Sequence, residues 1–126
     1  MLDRPEVIQG KTYKLKPPII DEAVYVTIND AEINGTMRPV ELFINSKNMA
    51  SFQWISLITR LLSAHMRVAE EFPIFIVDEM MDTYDPHGSY FIPGSGVKVN
   101  SIVAHIGWVL KQHCIELGVL PKDKEE

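Results

Sequence analysis

Between residues 38 and 58 the hydrophobic period of the chain changes, and no single regular element can carry both periods. Val40, Leu42 and Ile44 alternate with Glu41, Phe43 and Asn45, the two-residue repeat of a half-buried strand. After the polar run Asn45, Ser46, Lys47 and Asn48, apolar residues recur at helical spacing at Ile55, Ile58 and Leu62. A strand therefore enters a polar turn and feeds a long helix. The sheet before this joint and the helices after it are expected to pack on it.

Upstream, residues 12–15 read as a short strand, with Tyr13 and Leu15 on one face and Lys14 and Lys16 on the other. Pro17 and Pro18 end it, because neither has an N–H to give a ladder. Residues 23–30 form the cleanest strand pattern: Val24, Val26 and Ile28 face one way, Tyr25, Thr27 and Asn29 the other. Asn34 and Gly35 follow, both tolerant of positive φ and hence a strong hairpin signal. The hairpin returns through residues 40–44. Three antiparallel strands are predicted, with Val24, Val26, Ile28, Val40, Leu42 and Ile44 on the core face.

Downstream, a first helix is predicted over residues 49–70, capped by Asn48 or Ser51, whose side chains can accept a free first-turn N–H. Trp54, Ile55, Ile58, Leu61, Leu62, His65 and Met66 make a broad apolar stripe on it. Phe72 before Pro73 ends it, since a residue preceding proline is pushed out of the α region. Residues 73–84 read as a second, shorter helix, with a strand over 74–77 as the competing reading. Pro86, Gly88, Pro93, Gly94 and Gly96 then break the chain, leaving 89–92 and 97–99 for a small hairpin or an ordered loop. A last helix spans about residues 100–117, capped by Asn100 or Ser101. It buries Ile102, Val103, Ile106, Val109, Leu110 and Cys114 and stops at Gly118 in a left-handed cap.

The fold expected is α+β: a three-stranded antiparallel sheet, extended or not by a C-terminal hairpin, packed by two or three helices. At 126 residues this is one domain over 11–120, with an N-terminal arm at 1–10 and a disordered tail at 121–126. The net charge of −5 argues against a dedicated nucleic-acid binder, which needs clustered Lys and Arg. The single cysteine, Cys114, excludes an intrachain disulfide and a CxxC pair. No apolar run approaches a membrane span, and the N-terminus lacks the apolar core of a signal peptide. The expectation is a cytoplasmic protein.

Candidate chemistry is sparse. His105 and His113 share a helix face but stand about two turns apart, too far to chelate one ion, so no metal site is expected. His105 and His113 read as helix-surface or half-buried residues and His87 as a loop residue. Cys114 falls in register with Ile106 and Leu110 and reads as a small buried hydrophobe. Asp78, Glu79, Asp82 and Asp85 read as a solvated helix face. The run from Pro93 to Gly96 lacks the Lys and Ser or Thr of a phosphate loop and reads as a tight turn. Lys14, Lys16, Arg38, Lys47 and Lys98 could gather on one edge for an acidic partner. The polar corner Asn45, Ser46, Lys47 and Asn48, with Arg38, is the candidate binding site; no catalytic residue and no cofactor are assigned.

The runs GKTYKLKPP, AVYVTINDAE and RPVELFINSKNM together resemble the TSCPD domain. That domain lies at the C-terminal end of adenosylcobalamin-dependent (class II) ribonucleotide reductases and also occurs as small separate proteins. The matching residues are Gly10, Lys11, Thr12 and Tyr13; Val26, Thr27, Ile28 and Asn29; and Glu41 through Lys47. Asp85, Pro86, His87, Gly88, Ser89 and Tyr90 resemble the DP-x-GG turn of the small stand-alone group, which Phe52, Gln53 and Trp54 also fit. The resemblance covers residues 4–113. It implies an accessory, non-catalytic module. The reductase barrel is absent, and Cys114 has no partner for the family's thiol exchange. Three functions follow as expectations. The first is an interaction module that docks to a reductase chain, as a monomer or a homodimer. The second is a stand-alone regulator or inhibitor, from a phage or another mobile element, that binds a host protein. The third is a nucleotide or small-ligand binder.

Overall fold

The computed structural model describes residues 4–122. Three strands form an antiparallel meander in the order β1 (Gln9–Leu15), β2 (Val24–Ile33) and β3 (Thr36–Ser46). A 3₁₀ turn over Met49–Phe52 leads into α1 (Gln53–Val68), followed by α2 (Ile74–Met81). A two-stranded hairpin, β4 (Tyr90–Phe91) and β5 (Lys98–Val99), precedes α3 (Ile102–Leu117). This is the expected α+β architecture. The strands run longer than predicted because each ladder continues past the apolar residues into the turns.

The β2–β3 hairpin closes on Asn34 and Gly35, with φ of 52° and 81°, the left-handed pair that matches the twist of a hairpin. Val26 lies opposite Ile44 and Ile28 opposite Leu42. These residues, with Leu15 and Val24, form the sheet side of the main core. Leu62, Met66, Val77, Met80, Ile106, Val109, Leu110 and Cys114 close it from the helices. A smaller cluster of Tyr90, Ile92, Val99 and Ala104 sits under the β4–β5 hairpin, with Trp108 packed against it.

Three expectations fail for reasons of packing. A β-bulge breaks the register: Asn29 pairs with Glu41 but Asp30 pairs with Pro39, leaving Val40 extra. The bulge takes Arg38 out of the alternation that Leu42 and Ile44 follow. Glu41, expected on the solvent face, is only 1% exposed, because Arg4 and Asn29 both hydrogen-bond its carboxylate over that face. The stripe on α1 also divides. Leu62 and Met66 are buried and Ile55 is half-buried, but Trp54, Ile58, Leu61 and His65 are exposed. The buried side of α1 carries Thr59 and Ser63 as well.

The Thr59 hydroxyl donates to the Ser56 carbonyl of its own helix at 2.8 Å; the reason for the Ser63 hydroxyl is the free edge of β3. The Oγ of Ser63 accepts the Leu42 N–H at 2.9 Å, and its one proton is shared between the Leu42 carbonyl at 2.9 Å and the Thr59 carbonyl one turn back at 2.8 Å. A side chain thus stands in for a fourth strand at that position and answers both backbone groups that an edge strand leaves open.

The helix ends follow local rules in part. Ser101 caps α3, its Oγ accepting the Ala104 N–H at 3.0 Å. Gly118 closes α3 in the left-handed conformation at φ 82°. Neither Asn48 nor Ser51 caps the first helix as expected; the 3₁₀ turn intervenes and no side-chain cap bond forms there. Residues 74–81 are helical, so the strand alternative falls. Of the expected tail, Pro121 and Lys122 are in no regular element, and the rest lies outside the described residues. So do the first three residues of the expected arm, whose last two, Gln9 and Gly10, join β1.

Candidate functional site

The proposed polar corner does not assemble around Arg38. Arg38 and the Asn45–Asn48 turn lie at opposite ends of β3, separated by about seven strand residues or roughly 25 Å. Arg38 is 3% exposed. Its guanidinium donates to the carbonyls of Pro39, Met66 and Ala69 at 3.1, 3.0 and 2.5 Å. The last two carbonyls belong to the C-terminal end of α1, where the helix dipole is negative and a cation is favoured. Burial holds the Arg38 pKa below its usual value. In the turn itself Asn45 and Lys47 are exposed, Asn48 is half-buried and Ser46 is buried. The Ser46 hydroxyl accepts the Asn48 N–H at 3.4 Å, so it orders the turn. The lysines do not gather with Arg38 either, since Lys14 stands on β1 and Lys16 just past its end.

The polar chemistry sits instead on α3. His113 is 2% exposed and both ring nitrogens are engaged. Nδ1 lies 2.7 Å from the Tyr13 hydroxyl on β1, and Nε2 lies 2.9 and 3.0 Å from the Asp30 carboxylate on β2. The carboxylate can only accept from a ring N–H, so Nε2 carries a proton. One histidine thereby ties α3 to two strands. Next to this network Lys11 pairs with Glu116 at the surface. Burial raises the Tyr13 pKa and pushes the Cys114 thiol up to about 12. Cys114 is therefore an inert core thiol.

His105, two turns earlier and 3% exposed, forms a second pair: its Nδ1 lies 2.6 Å from the buried Tyr90 hydroxyl. Burial lowers the His105 pKa to about 4 and raises that of Tyr90, so both are neutral at pH 7. His105 also lines an open cavity of about 290 Å³ between β1, the β4–β5 hairpin and α3, together with Lys14, Lys16, Ile92 and Trp108. Reading the sequence missed both pairs. A signal was present: two histidines on the buried stripe of a helix must find polar partners, and tyrosines are the residues that bring a hydroxyl into a core.

The remaining candidates resolve simply. His65 and His87 are exposed, as are Asp78, Glu79, Asp82 and Asp85. The Asp85 carboxylate accepts the His87 N–H at 3.0 Å and shapes the turn into Gly88. Gly94 and Gly96 take positive φ in a tight turn. Among the described residues no three of His, Cys, Asp or Glu converge to hold a metal ion. Nor is any helix among them long and apolar enough to cross a membrane. Comparison with known proteins gives no matching family model, no matching curated protein and no matching solved structure.

Proposed function

We propose that this chain is a non-catalytic protein-interaction module that docks to a larger reductase chain through the outer face of α1. One observation supports the reading above others: α1 is apolar on the side that faces solvent. Trp54 is 71% exposed and Leu61 63%, and Leu57, Ile58 and Val68 are exposed on the same helix. Phe75 on α2 extends the patch and meets His65 edge-on, with ring centroids 6.1 Å apart. A surface helix normally turns its apolar residues inward. Here the inner side spends Ser63 on the β3 edge and buries Thr59 beside it, and the large side chains are left for a partner. The resemblance of the strand motifs to the TSCPD domain supplies the class of partner.

The test is co-purification of the tagged chain from cells that express a ribonucleotide reductase, beside a Trp54→Glu, Leu61→Glu variant. Both positions are exposed, so the variant keeps its fold, which circular dichroism checks. Recovery of a reductase subunit by the parent chain and its loss in the variant are expected. Absence of any reductase subunit, or equal recovery by the variant, overturns the proposal. A different single partner, lost in the variant, would assign the same face to a regulator.

A further inference from the structure

The cavity lined by His105 has the chemistry of a binding site, and it is separate from the outer face of α1. Its wall is apolar, with Ile92 and Trp108, and its rim carries Lys14 and Lys16. The Lys16 ammonium donates to the carbonyls of Ile20 and Asp21. Lys14 has no hydrogen-bond or ion-pair partner among the described residues.

The proton positions at the cavity follow from counting donors. The Tyr90 hydroxyl is buried and His105 Nδ1 is its one hydrogen-bond partner among the described residues. A buried O–H without an acceptor is costly, so Tyr90 donates and Nδ1 accepts. A neutral imidazole with an accepting Nδ1 carries its proton on Nε2. That Nε2–H makes no hydrogen bond within the described residues. It is not fully occluded either: among the described residues the one fully buried side-chain polar atom without a partner is Arg38 Nε. The Nε2 therefore reaches open space, and the open space that His105 lines is this cavity.

We propose that the cavity binds a small aromatic monocarboxylate, its carboxylate accepting the His105 Nε2–H and facing Lys14, its ring lying against Trp108 and Ile92. An N–H pre-set by Tyr90 is a donor that asks for an acceptor, and hydrogen bonds to a charged acceptor are the strong ones. The unpaired ammonium at the rim selects an anion over a neutral amide. The apolar wall selects a ring over a phosphate or sulfate. An apolar cavity of about 150 Å³ takes benzene, so a space of about 290 Å³ has room for one ring and its carboxylate.

Benzoate is the probe, with benzamide as its neutral counterpart, each titrated into the labelled full chain and followed by amide, indole and imidazole NMR shifts. Saturable shifts centred on His105 and the Trp108 indole are expected with benzoate and weaker ones with benzamide. Lys14→Met, an exposed change that leaves the fold alone, is expected to weaken benzoate roughly threefold and to remove the salt dependence. His105→Asn keeps an acceptor for Tyr90 but removes the donor, and is expected to weaken benzoate about tenfold or more. The histidine tautomer, read from long-range nitrogen–proton spectra of the unliganded chain, needs no variant. A proton on Nδ1 overturns the proposal. So does the absence of saturable shifts at His105 and Trp108 with millimolar benzoate, or benzoate binding that Lys14→Met leaves unchanged.

Discussion

Arg38 shows how far a single side chain can depart from its pattern. It was a candidate for charge at a binding corner, and it is a buried guanidinium with no ion-pair partner among the described residues. Three carbonyls and the negative end of α1 take the place of a counter-ion, while Nε has no partner among the described residues. The fork geometry matters here, because one planar group spans the Met66 and Ala69 carbonyls. A lysine ammonium on a thinner stem cannot reach both in that way. Arg38→Lys and Arg38→Met are each expected to lower stability by about 1–3 kcal/mol, seen as a lower urea midpoint at unchanged slope. A lysine variant as stable as the parent would show that charge alone, and not the fork, holds the helix end.

The elements obey their own sequences where neighbours decide and the tertiary fold where they do not. Gly107 lies in the middle of α3, where glycine costs about 1 kcal/mol against alanine. The structure supplies the reason: a Cβ there would stand 2.7 Å from the Met80 Cβ and 3.2 Å from the Met81 nitrogen. The glycine lets α2 and α3 approach closely. Gly107→Ala is therefore expected to destabilise by about 1–3 kcal/mol through overpacking, despite the better helix propensity of alanine. Chemical denaturation checks the sign, and a stabilised variant would mean that α2 yields. The hairpin at Asn34 and Gly35, the Ser101 cap and the Gly118 stop were all legible, because each is a contest among a few adjacent backbone groups. The orientation of α1 was not. Both of its sides hold apolar residues, and only the open edge of β3 decides that Ser63 turns inward.

At the scale of the whole molecule, α3 is held to the rest by buried histidines, and this sets an acid limit on stability. The folded His105 pKa of about 4 lies below the ordinary 6.5. The unfolded chain then binds the proton more readily, so stability is full above pH 6.5 and falls as pH drops towards 4. The loss amounts to about 3 kcal/mol over that window, at about 1.4 kcal/mol for each pH unit. Tyr90, its pKa raised by burial, keeps its proton throughout this window. Glu41 acts lower down: burial pushes its carboxyl up, but hydrogen bonds from Arg4 and Asn29 more than offset this and leave it below 4.5, so its contribution disappears only in stronger acid. Urea midpoints measured from pH 7 to 4 are expected to fall in the parent and to flatten in His105→Asn; an equal slope in both would assign the acid sensitivity elsewhere. The amino-acid sequence by itself determined the three strands, the hairpin turn, the helices and most of their ends, because periodicity and caps are settled within a few residues. Only the tertiary structure decided that Glu41 and Arg38 go inside, that α1 shows solvent its apolar side, and that His113 meets Tyr13 and Asp30. Those outcomes depend on partners as far as 100 residues away, and a buried polar group is placed by whichever distant partner the packing brings within hydrogen-bond reach.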